Sequence, residues 1–485
     1  MRTLVIDVGT TGLRAAIVHD DASVSDLHYE ECAPSSPAGG LVEFDASAMY
    51  AAVRRVAVAA LASGPVDAVG ITNQRASTVV WRASTGQPVG PAIGWQDLRT
   101  VGDCIMARIE HGVAFAPNQT ATKARWIMTN LVPEDERAGD DLRIGTVDSW
   151  IVWNLTNGRH HVTDHTNAGV TGLAAAGGAD WDDRVLGILG LSRAHLPRIV
   201  PSCGAVGEAT DLPGAPVIHA IAGDQQASLV GQGCIVPGRT KITFGTGGML
   251  DTFTGAVVPT ATTRTAGGTF PIVAFSDADG IRYGTEAIML SAGTNIEWLR
   301  DDMGLIGSAA ESHEVASTVA STDGVVFVPA LLGLGTPHWD YGARGALFGI
   351  TRGTTRAHIV RAVLEGVAHR GVDLVEAAEA DSGLTIEELR IDGGMSRNAT
   401  FVRALADFSG RPVRVSRVTE ATTLGAGFLA GVSAGQWSSL EAATGVLTWA
   451  ETVEPLGDAG PARQQWNEAV SRSRSWIPDL SALDF

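Results

Sequence analysis

Lysine is almost missing. Lysine and arginine together number 35, yet only Lys123 and Lys241 are lysines. A GC-rich coding bias is the plain reading of that imbalance, and no function is drawn from it. Cysteine is scarce as well: Cys32, Cys104, Cys203 and Cys234 stand far apart and form no CxxC pair. That spacing argues against a metal cluster or a disulfide framework and fits a reducing, cytoplasmic setting. No basic-then-apolar leader precedes the strand-like RTLVIDVG at the start, and no apolar run is long enough to span a bilayer. Positive charge is the minority sign. At a formal charge of -18 the surface repels phosphate backbones, which excludes nucleic acid as the expected partner. Neither GxxxxGK[ST] nor GxGxxG occurs, so the two commonest nucleotide fingerprints are absent.

What remains is an ordinary globular balance, 45% hydrophobic and 18% charged, in a chain too long for one core. The pattern is mixed α/β. TLVID, RAAIV, DAVGIT, KITFGT and GVVFVPA read as strands. SAMYAAVRRVAVAALAS reads as a helix entered through Asp45-Ala46-Ser47, and TTRAHIVRAVLEGVAHRGVDLVEAAEA as a second, longer one. The stretch ITNQRASTVVW (Ile71–Trp81) reads as a hairpin with a polar knot holding Arg75. One echo crosses the chain. IDVGTTGLRAAI (Ile6–Ile17) and ITFGTGGMLDTF (Ile242–Phe253) each run strand, Gly/Thr turn, strand. Two such hairpins predict a duplicated fold with a cleft between the copies, with domains over 1–233 and 234–485.

Chemistry-bearing residues cluster around these turns. Asp7 ends an apolar strand, and Gly9 to Gly12 let the backbone approach a ligand while Thr10 and Thr11 offer donors. Such a turn suits phosphate, a strand-end carboxylate beside it suits Mg²⁺, and Arg14 suits phosphate charge. FGTGG (Phe244–Gly248) is a second cradle centred on Thr246. In IDGGMSRN (Ile391–Asn398), Gly393 and Gly394 lie where a strand turns into a helix and a flat ligand can rest, with Asn398 able to hydrogen-bond it. In IAGDQQASLVGQ (Ile221–Gln232), Asp224 follows an apolar strand and precedes a helix. It reads either as a base that takes a proton from a hydroxyl or as a helix N-cap.

Taken together these segments resemble the FGGY carbohydrate kinases, and within them the glycerol kinase branch. The resemblance covers nearly the whole chain and includes DVGTTGLRA, GITNQR, STVVW, AIGWQDLRT, GTVDSWIVWNLT, VTDHTNA, AGDQQASLVGQ, LGLGTPHWD, ARGALFGITRG and DGGMSRN, in matching order. It implies two actin-like domains with RNase-H-like cores, and a cleft in which ATP, Mg²⁺ and a polyol or sugar meet. It implies that Asp224 is the general base, with Asp7 and Asp224 the carboxylates near Mg²⁺. Thr10, Thr11 and Arg14 match the first phosphate loop, and Gly245, Thr246 and Gly247 the second. Gly293, Glu297, Gly394 and Asn398 match nucleotide positions, Glu297 standing where glycerol kinases usually carry glutamine. Arg75, Trp95 and Gln225 match acceptor contacts. A homodimer is within the family's habit.

Three acceptor positions depart from that branch. Ala76 stands where glycerol kinases place a glutamate that accepts hydrogen bonds from glycerol, Asn118 where they carry tyrosine, and Met249 where they carry phenylalanine. The expectation is a polyol or sugar kinase whose acceptor is larger than glycerol. Glycerol kinase itself is the alternative, and a non-catalytic actin-like ATP-binding module a remote one, disfavoured by the NQR, WQD and Asp-Gln segments.

Overall fold

In the computed structural model, which describes every residue except 262, 419, 458, 484 and 485, one sheet plan occurs twice. The first sheet holds β1 (Arg2–Val8), β2 (Gly12–His19), β3 (Val24–Glu31), β4 (Ala68–Asn73), β5 (Cys203–Glu208) and β6 (Val217–Gly223), in the order β5-β6-β4-β1-β2-β3. Strands β1 to β3 are antiparallel, while β1, β4 and β6 run parallel. The second holds β7 (Thr240–Phe244), β8 (Gly248–Gly255), β9 (Phe270–Asp277), β10 (Gly280–Met289), β11 (Leu389–Asp392), β12 (Val413–Ser416) and β13 (Trp449–Val453), in the order β9-β10-β8-β7-β11-β12-β13. Here β7, β8 and β10 are antiparallel, and β7, β11 and β12 parallel. The echo between the two Gly/Thr turns therefore extends to whole sheets, each turn joining the central strand to its antiparallel neighbour.

Central strands are buried on both faces, as parallel strands under helices are: Leu4, Val5 and Ile6 are all fully covered. Helix α1 (Ala46–Leu61) starts as expected at Asp45, whose carboxylate accepts from the N–H groups of Ser47 and Ala48 at 2.8 and 2.9 Å. Helix α2 (Asp224–Gly231) follows β6, α3 (Arg356–Ser382) supplies the long helix, α4 (Ala399–Ser409) follows β11, and α5 (Ala421–Ser433) follows β12.

The two halves are joined where α2 crosses α5. A Cβ on Gly425 would sit 1.7 Å from the Ala227 carbonyl oxygen, and one on Gly231 would sit 1.9 Å from that of Ala421. Only hydrogen fits there. Although α5 follows a strand of the second sheet, it also lies on the first: a Cβ on Gly70 would meet the Ala426 oxygen at 2.6 Å. Val5, Val18, Ala227, Phe253, Leu424 and Phe428 form one apolar cluster drawn from both halves.

The stretch from Ile71 to Trp81 is not a hairpin. Strand β4 ends at Asn73 in the first sheet, while Thr78–Arg82 belongs to a separate four-stranded sheet with Glu43–Phe44, Ala92–Ile93 and Leu142–Thr146. Arg75 sits in the connection between two layers, and Ala76 makes the turn with φ +63. Among the described residues no helix is long and apolar enough to cross a membrane.

Candidate active site

The ends of β1, β4 and β6 come together on the side of the first sheet that faces the second half. Asp7 is buried at the end of β1, and burial pushes its carboxyl up to about 7, against the pull of Arg14, whose Nε lies 3.5 Å away. The Arg14 guanidinium also contacts Glu420, next to the start of α5. Arg14 thus ties the first turn to the second half through two carboxylates. Gln74 holds that turn from β4: its N–H donates to Val8 O at 2.8 Å and its Nε2 to Gly9 O at 3.1 Å. Tight approach is built in, since a Cβ on Gly9 would meet Gly12 O at 2.9 Å.

Asp224 is not an N-cap. Gly223 takes that position, and Asp224 is the first residue of α2, with its Oδ1 accepting from the Gln225 N–H at 2.8 Å. Thr166 fixes the strand end by accepting from the Gly223 N–H at 2.8 Å. Burial raises the Asp224 carboxyl, with Arg75 opposing, and Asp7 and Asp224 repel each other's charge. Arg75 Nε is 3.6 Å from Asp224 Oδ1, and its Nη2 is 2.7 Å from Glu286 Oε2, on β10. Sequence reasoning singled out Arg75 and Asp224 but missed Glu286. It also gave Lys241 no role, although its Nζ donates to Gln225 Oε1 at 2.6 Å and lies 2.7 Å from Asp251.

Trp95 is 37% exposed and links two of the expected groups. Its Nε1 donates to Thr10 Oγ1 at 3.0 Å, and its carbonyl accepts from the buried Lys123 Nζ at 3.0 Å. Burial lowers that lysine to about 7. The Ala76 carbonyl accepts from Thr120 Oγ1 at 3.1 Å, so the turn carrying the exposed Asn118 packs beside the Arg75 connection. Met249 is half-buried on β8.

The other expected residues gather at the second turn. Gly293 N–H donates to Gly245 O at 2.8 Å, and a Cβ on Gly293 would meet that oxygen at 2.6 Å. The Thr246 carbonyl accepts from Ala292 N–H at 2.9 Å, and a Cβ on Gly247 would press on Met289 O at 2.7 Å. Gly393, with φ +87, abuts Phe244, and a Cβ on Gly394 would meet open space. Three further expected residues complete the set. Asn398 caps α4, its Oδ1 accepting from Phe401 N–H at 3.1 Å and its Nδ2 donating to Ser312 Oγ at 2.8 Å. Glu297 is exposed. Thr11 is exposed at the tip of the first turn.

The arrangement offers a half-buried carboxylate, Asp224, beside a guanidinium, a buried one, Asp7, next to a Gly/Thr turn, and a second Gly/Thr turn with open space at Gly394. Comparison with known proteins agrees with that division. Residues 2–231 match the N-terminal domain of the FGGY family of carbohydrate kinases, and residues 241–434 its C-terminal domain. A glycerol kinase of Trichlorobacter lovleyi is 40% identical over 98% of this chain and 99% of its own. Glycerol kinase 2 of Thermotoga maritima is 38% identical over 98% and 99%. Among solved structures, Plasmodium falciparum glycerol kinase with ADP superimposes with a TM-score of 0.90 at 28% identity, covering 97% of this chain and 98% of that one. A xylulose kinase of Lactobacillus acidophilus shares the fold, with a TM-score of 0.86 at 20% identity over 99% of each chain.

Proposed function

Because the chain belongs to the FGGY family of carbohydrate kinases and is an ATP-dependent carbohydrate or polyol kinase, we propose that it phosphorylates a hydroxyl of a neutral polyol or ketose longer than glycerol. The observation that carries this reading is Arg75 reaching Asp224 beside a residue 76 that is alanine. Asp224 takes the proton of the acceptor hydroxyl, whose oxygen then bonds to the γ-phosphorus as the bond to the ADP oxygen breaks. Phosphoryl transfer asks the protein mainly for positioning and charge neutralisation. Arg75 orients the acceptor. The turns at Thr10–Thr11 and Gly245–Gly247 supply N–H groups for phosphate, and the space at Gly293 and Gly394 takes the nucleotide.

The donor set fits Mg²⁺. Asp7, buried, and Asp224, half-buried, offer carboxylate oxygens that repel each other, and a divalent cation would offset that repulsion. Among the described residues no group of three or more His, Cys, Asp or Glu could hold a metal. Phosphate and water oxygens would complete the shell, as is usual for Mg²⁺. The ion would neutralise charge on the phosphates.

Acceptor size follows from what residue 76 cannot do. Alanine accepts no side-chain hydrogen bond, and loss of one to a charged group costs roughly 1.5–3 kcal/mol, about one to two decades in specificity. Asn118 and Met249 replace flat walls and leave room for further carbons. We expect kcat/KM for erythritol, threitol, xylitol, erythrulose or xylulose to exceed that for glycerol by ~10-fold or more. A preference for glycerol over all five would refute the size argument and leave the kinase intact. Glycerol is the second reading, favoured by the glycerol kinases that share about 40% identity across the whole chain.

A further inference from the structure

Strand pairing in the second half puts six side chains on one face. Thr243 pairs with Met249, and Met249 with Ile288; Lys241 pairs with Asp251, and Asp251 with Glu286. Residues two apart on a strand share a face, so one row reads Thr243, Met249, Ile288 and the next Lys241, Asp251, Glu286. The face is turned to the acceptor side of the cleft at both ends of the charged row, since Lys241 touches Gln225 and Glu286 touches Arg75.

Charge is unusual there. Lys241 and Asp251 are fully buried, 2.7 Å apart, and balance each other. Glu286 is buried with Arg75 as its counter-ion. Glu286 Oε2 lies 2.7 Å from Arg75 Nη2, so one arm of the guanidinium is taken by the carboxylate. Arg75 Nη1 is buried and has no hydrogen-bond partner among the described residues. A buried guanidinium arm left without a partner beside a buried carboxylate is costly to fold unless a ligand fills it. Hydroxyl groups suit the pair, because each can accept from a guanidinium and donate to a carboxylate.

We infer that Glu286 is a specificity-determining residue that receives acceptor hydroxyls from the C-terminal half, in place of the carboxylate that position 76 lacks. This rests on the kinase reading above. The acceptor is thereby gripped from both halves: Arg75 and Asp224 come from the first and Glu286 from the second. A carboxylate wall also selects neutral hydroxylated acceptors over sugar acids.

The test is steady-state kinetics of the full-length wild type, Glu286→Gln and Glu286→Asp, with MgATP and glycerol, erythritol, xylitol, D-xylulose and D-gluconate. Glu286→Gln is expected to raise KM for the best neutral acceptor by ~10–100-fold, with KM for ATP within about twofold of wild type. Glu286→Asp, which keeps the charge on a shorter arm, should recover part of the loss. A uniform fall in kcat on every acceptor with a matching rise in KM for ATP would make Glu286 a strut and overturn the inference, as would an unchanged acceptor KM. If the wild type uses glycerol alone, the size reading fails, and the same KM split measured on glycerol still decides the role of Glu286. If Glu286→Gln does not fold, the acceptor KM of Glu286→Asp decides it: a selective rise supports the role, and no rise removes it.

Discussion

Asp224→Asn is expected to lower kcat by ~10²–10⁴-fold, the usual loss when a general base is removed. The substitution is mild in shape. An asparagine Oδ1 can still accept from the Gln225 N–H, which Asp224 Oδ1 does at 2.8 Å, and Arg75 keeps Glu286 as a counter-ion. What is lost is the capacity to take a proton. The nucleotide positions proposed above, Gly245–Gly247, Gly293 and Gly394, belong to the second half, so ADP affinity by calorimetry should change by less than about threefold. Single-turnover transfer to the preferred acceptor measures the chemical step directly. A variant with near-wild-type turnover removes Asp224 from the mechanism.

Gly425→Ala should cost more stability than any other single methyl group in the chain for which a clash has been described. The new Cβ would stand 1.7 Å from the Ala227 oxygen and 2.8 Å from the Gly231 nitrogen. These are backbone atoms, so no rotamer change relieves the contact and α2 has to move. Overpacking of a core ordinarily costs about 1–3 kcal/mol, and this case belongs at or above the top of that range. The damage should reach chemistry, because α2 begins with Asp224 and Gln225. A displacement on the order of 1 Å at a catalytic group can cost ~10²-fold in rate. Gly102→Ala is the control: it is exposed in the helix Val101–His111 with nothing within 4 Å of the added carbon, and should stabilise by roughly 0.5–1 kcal/mol. Urea midpoints and kcat/KM for the two variants give the comparison. A Gly425→Ala protein with wild-type midpoint and turnover would show the crossing to be loosely packed.

Much of this architecture is legible in the chain because the signals are local. The Gly/Thr turns at 9–12 and 245–248 are flanked by apolar strands, and a turn with its two strands is a contiguous stretch. Asp45 announces α1 for the same reason. The misread segment shows the limit. Two β-rich runs separated by only a few residues satisfy the length rule for a hairpin, yet Asn73–Ser77 carries no Asn-Gly or Gly-Gly pair, and its strands find partners far away in sequence. The crossing of α2 and α5 is hidden likewise. ATTLGAGFLAGVS reads as an apolar helix, and nothing in it names the first sheet as a place to dock. Glu286 was missed because a lone acidic residue in a strand reads as solvent-facing. Its burial becomes apparent only when β7, β8 and β10 are laid in register and Lys241, Asp251 and Glu286 fall in one row.

The two lysines have a practical side. Lys123 and Lys241 are both fully covered, one under Trp95 and the other under Gln225. The folded surface therefore presents no side-chain amine. Lysine-specific proteases meet no accessible lysine in the folded protein, and acylating reagents and amine-coupled sensor chips are left with the α-amine of the exposed Met1. The same burial makes amine labelling a reporter: acylation of Lys241 requires its Nζ to leave Gln225 and Asp251, so the rate of that reaction is a clock for local opening.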